Sequence, residues 1–267
     1  MNDNSLVKLF GWRAALVHGD TLVLDRWRFL KGFLPKVKDT HERVLEVGCG
    51  TGALTMGIAS RGYEAIGLSW DERNQKVAEE RARLAGVKNI SFPIGDARKL
   101  DQHEEFQQAF DLVICFEVIE HILDDRKLMR DLHACLKPGG RLLLTTPNIY
   151  YRSSWNDAGP WSKVEDGGHV RRGYSSAMIR ELCKDAGFMV EEIGYVSFFF
   201  SQVISRVLRR LLPVVGKRPA WAIVLPLRIL PPLLDGWLGR LMSTAFGWPG
   251  YSITLVAYRK RWLGNGD

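Results

Sequence analysis

The sequence predicts a doubly wound α/β fold on three observations. Short apolar runs alternate with amphipathic stretches from Val44 to about Val196, the signature of repeated βα units on a parallel sheet. The first apolar run ends in a glycine-rich turn, and the stretches between runs carry helix start and stop residues. In order, 42–50 (ERVLEVGCG) reads as a first strand and its turn, 53–60 as the start of a helix, and 63–69 (YEAIGLS) as a second strand. The charged stretch 71–87 has helical spacing and the Glu/Arg content of a solvated face. A third strand and its loop follow at 89–97, a fourth at 110–117, and a helix at 124–136 closed by the stop signal KPGG. Residues 140–148 form the fifth strand, 175–188 a helix ended by Gly187, and 189–196 a sixth strand. Before them, 1–40 carries Trp12, Trp27, Phe29 and Phe33, as amphipathic helices packed on the domain or as a lid over a substrate.

Composition bounds the function. A chain of 267 residues with 46% hydrophobic and 25% charged residues is globular and long enough for one large core plus an accessory element. The cysteines Cys49, Cys115, Cys135 and Cys183 form no CxxC and no Cys/His cluster, which points to reduced thiols rather than a disulfide frame or zinc site. The N-terminus lacks a basic start followed by an apolar run, so no secretory signal is expected and the location is expected to be cytoplasmic. The net charge of +7 is uneven: residues 1–195 hold 27 Lys+Arg against 28 Asp+Glu, and residues 196–267 hold 10 against 2.

The strongest motif is Val-Leu-Glu-Val-Gly-Cys-Gly-Thr-Gly at 44–52, where buried residues end in a turn that lets a ligand approach the backbone. Alone it is ambiguous, because Gly48, Gly50 and Ala53 also fit a loose dinucleotide pattern. Two features decide. Glu46 precedes the first glycine by two residues, where a carboxylate can reach a ligand's ammonium group, and Asp96 in GDA (95–97) follows the third strand, where it can accept from an adenine amino group.

With these motifs in place, residues 44–196 resemble the class I S-adenosylmethionine-dependent methyltransferases, of the ubiquinone-pathway type. The resemblance rests on VLEVGCGTG, GDA, FDLVICFEVIEHI, LKPGGRLLLTTPN and KDAGF, five pieces in order over about 150 residues. It implies a seven-stranded sheet with the last strand antiparallel, and S-adenosylmethionine across the carboxyl ends of the first strands. It also implies that Gly48, Cys49, Gly50 and Gly52 form the turn under the cofactor, with Glu46 near its amino acid part. Asp96 and Ala97 would meet the adenine and Phe116 would lie beside the sulfonium. One departure is Ser69, where the family places an acid for both ribose hydroxyls; either Ser69 serves with one hydroxyl or Asp71 reaches back, and Trp70 covers an adenine face.

The segment Glu117-Val-Ile-Glu120-His121 has two readings. In one it begins a helix at the rim, with Glu117 and His121 lining the pocket. In the other, Glu117, Glu120 and His121 share one side of a helical turn and bind a divalent metal, with His169 as a fourth ligand. That pattern is similar to ubiquinone-pathway O-methyltransferases and small-RNA 2′-O-methyltransferases, but the first reading is adopted and no metal is assigned. His169, in a polar loop after the fifth strand, is the candidate general base, since its ordinary pKa suits taking a hydroxyl proton. Arg171 and Arg172 either hold an acidic substrate group or are solvated.

Residues 251–267 supply the last strand and a tail, which leaves 197–250 as an insertion where a hairpin would suffice. From topology it hangs over the cofactor side. It is apolar and basic, with Arg206, Arg209 and Arg210 on one helical side and with Trp221, Trp237 and Trp248. Pro226, Pro231, Pro232, Arg228 and Asp235 break its second half, so a spanning helix is not expected; an interfacial element, a substrate cap or a dimer face are. The expected function is methyl transfer to a hydrophobic or lipid-linked small molecule, at oxygen by preference, with no nucleic acid partner. A metal-dependent RNA 2′-O-methyltransferase and a non-catalytic cofactor-binding protein are the alternatives. The acceptor atom and oligomeric state are left open.

Overall fold

The computed structural model describes residues 3–18, 22–37, 40–151, 161–227, 234–247 and 249–261. Three helices open the chain, α1 (Asp3–Phe10), α2 (Ala15–His18) and α3 (Val23–Lys31). Then β1 (Arg43–Val47), α4 (Ala53–Ala59), β2 (Glu64–Leu68), α5 (Glu72–Leu84), β3 (Ile90–Ser91) and β4 (Phe110–Phe116) alternate. They are followed by α6 (Asp125–Cys135), β5 (Leu136–Pro147), α7 (Ser176–Ala186) and β6 (Phe188–Val196). Helices α8 (Phe199–Val215), α9 (Lys217–Leu227) and α10 (Trp237–Phe246) precede β7 (Ser252–Arg259).

The seven strands form one sheet in the order β3-β2-β1-β4-β5-β7-β6. β7 pairs antiparallel with both β5 and β6, and the remaining pairs are parallel. Side-chain alternation splits the core. Leu45, Val47, Val113, Cys115, Leu142 and Leu144 face α6 and α7. Val44, Leu112, Ile114 and Leu143 face α3 and α4 on the other side. Trp12 and Trp27 meet edge to face at 5.0 Å, and both stand where a side chain at Gly57 of α4 would be. Trp12, Trp27, Phe29 and Phe33 of the N-terminal segment all pack against this side of the core.

Local signals explain most boundaries. The Asp71 carboxylate accepts from the Arg73 and Asn74 amides to start α5, Asp124 from Lys127 to start α6, and Ser175 from Met178 to start α7. Gly187 ends α7 with φ +84°. Two expectations are corrected. The third strand is only two residues long, joined to β2 further on by a single bridge between Ser69 and Ile94. Pro93 has no amide hydrogen to extend that pairing. The KPGG segment is not a loop after the helix, because Leu136 pairs with Phe110 directly and β5 begins there.

In the insertion, α8 and α9 close on Leu208, Ala220 and Val224, with Trp221 against the seam. Asp235 is buried and caps α8 by accepting from the Phe200 and Ser201 amides. The described part of α9 includes Pro226 and runs to Leu227. Arg228, Pro231, Pro232 and Trp248 lie outside the described residues. No helix of the described residues is long and apolar enough to cross a membrane.

Candidate active site

A cavity of about 450 Å³ opens at the carboxyl ends of β1 to β4, where this topology places ligand sites. A larger one of about 920 Å³ lies at the opposite edge; its basic residues Lys137 and Arg141 are paired with Asp111 and Glu191. The first cavity is floored by the glycine turn, and each glycine there has its own reason. A Cβ on Gly48 would stand 2.3 Å from Val118 Cγ2, whereas one on Gly50 would meet nothing within 4 Å and point into open space. Gly52 (φ +74°) does not line the cavity: a Cβ there would strike Phe92 at 2.7 Å and Ala78 at 2.8 Å, so this glycine serves helix–strand packing. Cys49 also turns away, and its thiol donates to Gln75 Oε1 at 3.3 Å. Burial, then the nearby Glu46, raises the Cys49 pKa well above the ordinary thiol value.

Glu46 sits beneath the turn rather than in the cavity. The residue is 4% exposed, and its carboxyl accepts from the Thr55 hydroxyl in the first turn of α4. Burial raises its pKa from the ordinary 4.5 to about 7, opposed by the Thr55 hydrogen bond. The expected direct reach to a ligand's ammonium group is thus not what this geometry shows.

The side walls come from the loops after β2 and β3. Ser69 is nearly buried, and Trp70 is 65% exposed over the opening. Asp71 does not reach back into the cavity, because its carboxylate is engaged with the Arg73 and Asn74 amides and the Arg73 guanidinium. Asn74, one turn into α5, lines the wall instead. Asp96 and Ala97 form the adjacent wall. The Arg98 guanidinium donates to Asp96 Oδ1 and Oδ2 and reaches across to Glu165 Oε2 at 2.9 Å. Arg98 holds the Asp96 carboxyl below the usual carboxylate range. Glu165 in turn accepts from the Leu123 amide at 2.7 Å, so the loop after β5 is tied over the cavity.

Beyond β4 the chain departs from the expected helix. Glu117 takes φ +54°, and only Ile119–His121 form a short 3₁₀ turn. This left-handed residue separates the acids that a helical turn would have aligned. Glu117 lines the cavity, pairs with Arg26 of α3 at 3.3 Å and accepts from the Ser252 hydroxyl of β7 at 3.0 Å. Glu120 points the other way, fully buried, and accepts from Thr146 Oγ1 at 3.1 Å. Burial and then the Glu117 charge raise its pKa well above the ordinary value.

His121 lines the cavity and meets the His169 ring edge to face at 4.5 Å. Glu120, His121 and His169 present ligand atoms within 4.8 Å of one another, a group that excludes Glu117. Glu120 Oε1 and His121 Nδ1 are buried without a hydrogen-bond partner. Phe116 is not at the cavity; it is buried toward α3, 5.9 Å from the Phe29 ring.

Arg171 and Arg172 offer no substrate contact in this arrangement. Arg171 donates to the Ile122 and Leu123 carbonyls, the Tyr174 hydroxyl and Asp125, and Arg172 to the Tyr151 carbonyl. Among the described residues, no cavity-lining residue comes from 197–250, although Ser252 ties the base of that insertion to Glu117. Sequence reasoning missed Asn74, Arg98, Glu165 and Arg26. Asn74 was findable one turn after the cap residue Asp71, but the Arg98–Glu165 contact spans 67 positions and Arg26–Glu117 more.

The chain is similar to known methyltransferases. A family model described as a methyltransferase domain matches residues 23–193. The chain is 34% identical over 113 residues to a ubiquinone biosynthesis O-methyltransferase of Marinobacter nauticus, covering 42% of this chain and 47% of that protein. It therefore spans about half the length of the curated relatives it matches. By structure it resembles Haemonchus contortus phosphoethanolamine N-methyltransferase 2 in complex with S-adenosyl-L-methionine (TM-score 0.59, 18% identity, 98% of this chain and 60% of that one). It also resembles a Mesorhizobium loti S-adenosylmethionine-dependent methyltransferase (TM-score 0.56, 21% identity, 91% of this chain and 100% of that one). These likenesses show the fold. The match to the family model over most of the chain, on the sheet order and glycine turn described above, places the chain in the methyltransferase domain family, among the class I S-adenosylmethionine-dependent methyltransferases.

Proposed function

We propose that the protein transfers a methyl group from S-adenosylmethionine to an oxygen of a hydrophobic or lipid-linked small molecule. The observation that carries the reading is the cavity at the carboxyl ends of β1 to β4, where Gly48, Gly50, Ser69, Trp70, Asp96 and Ala97 converge. Its volume suits a cofactor of this size, and the open space over Gly50 lets a ligand reach the backbone. Asp96 and Ala97 would hold the adenine under Trp70, and Ser69 with Asn74 the ribose. S-adenosylmethionine, when bound, supplies a methyl group already activated by its sulfonium charge. The protein's part is then alignment, exclusion of water and proton removal.

His121, on the cavity wall, and His169 behind it are the groups to take a proton from an acceptor hydroxyl. Glu117, fixed by Arg26 and Ser252, shapes the acceptor side, and α3 and the start of β7 adjoin it there. Support for a hydrophobic acceptor comes from the apolar insertion and from relatives named for ubiquinone biosynthesis. All four cysteines are free and buried, which supports a reducing, cytoplasmic setting.

One observation favours a second reading. Glu120 Oε1 and His121 Nδ1, buried without a hydrogen bond beside His169, suit a divalent cation, which would supply a Lewis acid to an acceptor hydroxyl. Loss of activity on chelation, restored by magnesium or zinc, would favour it over proton removal by histidine alone.

The test is calorimetric titration of wild type and Asp96→Ala with S-adenosylmethionine, followed by incubation of radiolabelled cofactor with membrane lipid extract. The expected result is one saturable site, weakened at least ten-fold by the substitution, and label in the organic phase. A folded protein that binds no cofactor sinks the reading, and label that enters only RNA redirects the acceptor.

A further inference from the structure

Helices α8 to α10 form an uncovered surface of unusual chemistry. Of the eighteen large apolar side chains exposed among the described residues, eight lie in 197–250: Val214, Val215, Ile223, Leu225, Leu227, Trp237, Leu241 and Phe246. That segment is a fifth of the chain. From Pro219 to Leu227, α9 carries no charged or polar residue, yet only Ala220 and Val224 of it are buried. A surface helix ordinarily turns polar residues outward; here the outward residues are apolar. Trp237 is 78% exposed.

The charge beside this surface has one sign. Arg209, Arg210 and Arg240 are exposed. The only acid of 197–250 is Asp235, which is buried and spent on capping α8. Arg206 lies beside Arg209 and Arg210, and burial and then those two charges lower the pKa of its guanidinium. A second copy of the same face would bring arginine against arginine with no carboxylate to meet it. Phosphate headgroups above an acyl boundary satisfy both features.

We propose that α8–α10 is an interfacial docking surface for an anionic lipid bilayer, with the apolar side chains in the headgroup–acyl boundary and the arginines on lipid phosphates. This extends the reading of a lipid-linked acceptor but is tested apart from methyl transfer.

The experiment is co-sedimentation of the full chain with phosphatidylcholine vesicles, with and without 30% phosphatidylglycerol (roughly the anionic content that raises a surface potential), over a salt series. We expect partitioning to the anionic vesicles that weakens as salt rises. Arg209→Gln with Arg240→Gln should lower it about thirty-fold, from the known contribution of single basic residues near such a surface. Ile223→Ser with Trp237→Ser should lower it at least ten-fold. All four sites are exposed, and unchanged circular dichroism and S-adenosylmethionine binding confirm that each variant is folded. No sedimentation with anionic vesicles, or sedimentation that neither pair of substitutions moves, overturns the proposal. So does a dimer in light scattering that the apolar pair dissolves, since the surface then belongs to a second copy.

Discussion

The buried carboxyl of Glu46 carries a measurable consequence. Its folded pKa stands near 7 against an ordinary 4.5, with burial as the main cause. Between those values the folded protein keeps a proton that the unfolded chain releases. Stability from this group is therefore full below about pH 4.5 and is lost as pH rises through 7. At roughly 1.4 kcal/mol per pH unit the loss reaches about 3 kcal/mol above pH 7. Glu46→Gln keeps an acceptor for the Thr55 hydroxyl but carries no charge at any pH. The variant should match wild type near pH 4.5 and exceed it by about 3 kcal/mol at pH 8. Urea unfolding of both proteins at four pH values from 5 to 8 (roughly the window set by the two pKa values) gives the difference directly, because all other groups cancel. A difference that is flat with pH would refute the reasoning. Cofactor titration of the same pair adds a separate answer: a ten-fold or greater drop in affinity would return Glu46 to the ligand contact expected from sequence.

Three further outcomes follow from the site. Gly52→Ala, at φ +74° with Phe92 and Ala78 inside 3 Å, should cost about 2–4 kcal/mol in denaturant unfolding. Gly50→Ala, at φ +52° with free space ahead, should cost only about 1 kcal/mol of stability but weaken S-adenosylmethionine binding in calorimetry. Arg171→Met removes the donor shared by two carbonyls, Asp125 and Tyr174, and should destabilise by about 2–4 kcal/mol in thermal unfolding, with cofactor binding retained at low temperature.

Much of the fold was legible because its signals are local. Val44-Leu-Glu-Val47 and Phe110–Phe116 pack β-branched and aromatic residues as buried strands must, and Asp71, Asp124, Ser175 and Gly187 sit at the helix ends they mark. The cavity's floor and two of its walls were legible for a similar reason: Gly48, Gly50 and Ser69 lie in the turns right after β1 and β2, and Asp96 and Ala97 in the loop after the short β3. What was not legible depends on distance or on backbone choice. Nothing in a glutamate announces φ +54°, yet that one angle moves Glu117 away from Glu120 and dissolves the expected helical turn. Phe116 is the last residue of β4 and its side chain packs toward Phe29 of α3. The Arg98–Glu165 and Arg26–Glu117 bridges join segments that are remote in the chain, and only the folded sheet brings them together.

The place of β7 has a consequence for how the molecule is made. It follows both β5 and β6 in sequence, yet it lies between them and pairs with each along its length. Until it arrives, a growing chain holds two open strand edges, the liability that folded proteins otherwise cover. Ser252, which opens β7, also supplies a hydrogen bond that steadies Glu117. Closing the sheet and finishing the rim of the cavity are then a single late event, so a nascent chain that already displays the glycine turn has no complete acceptor side to offer.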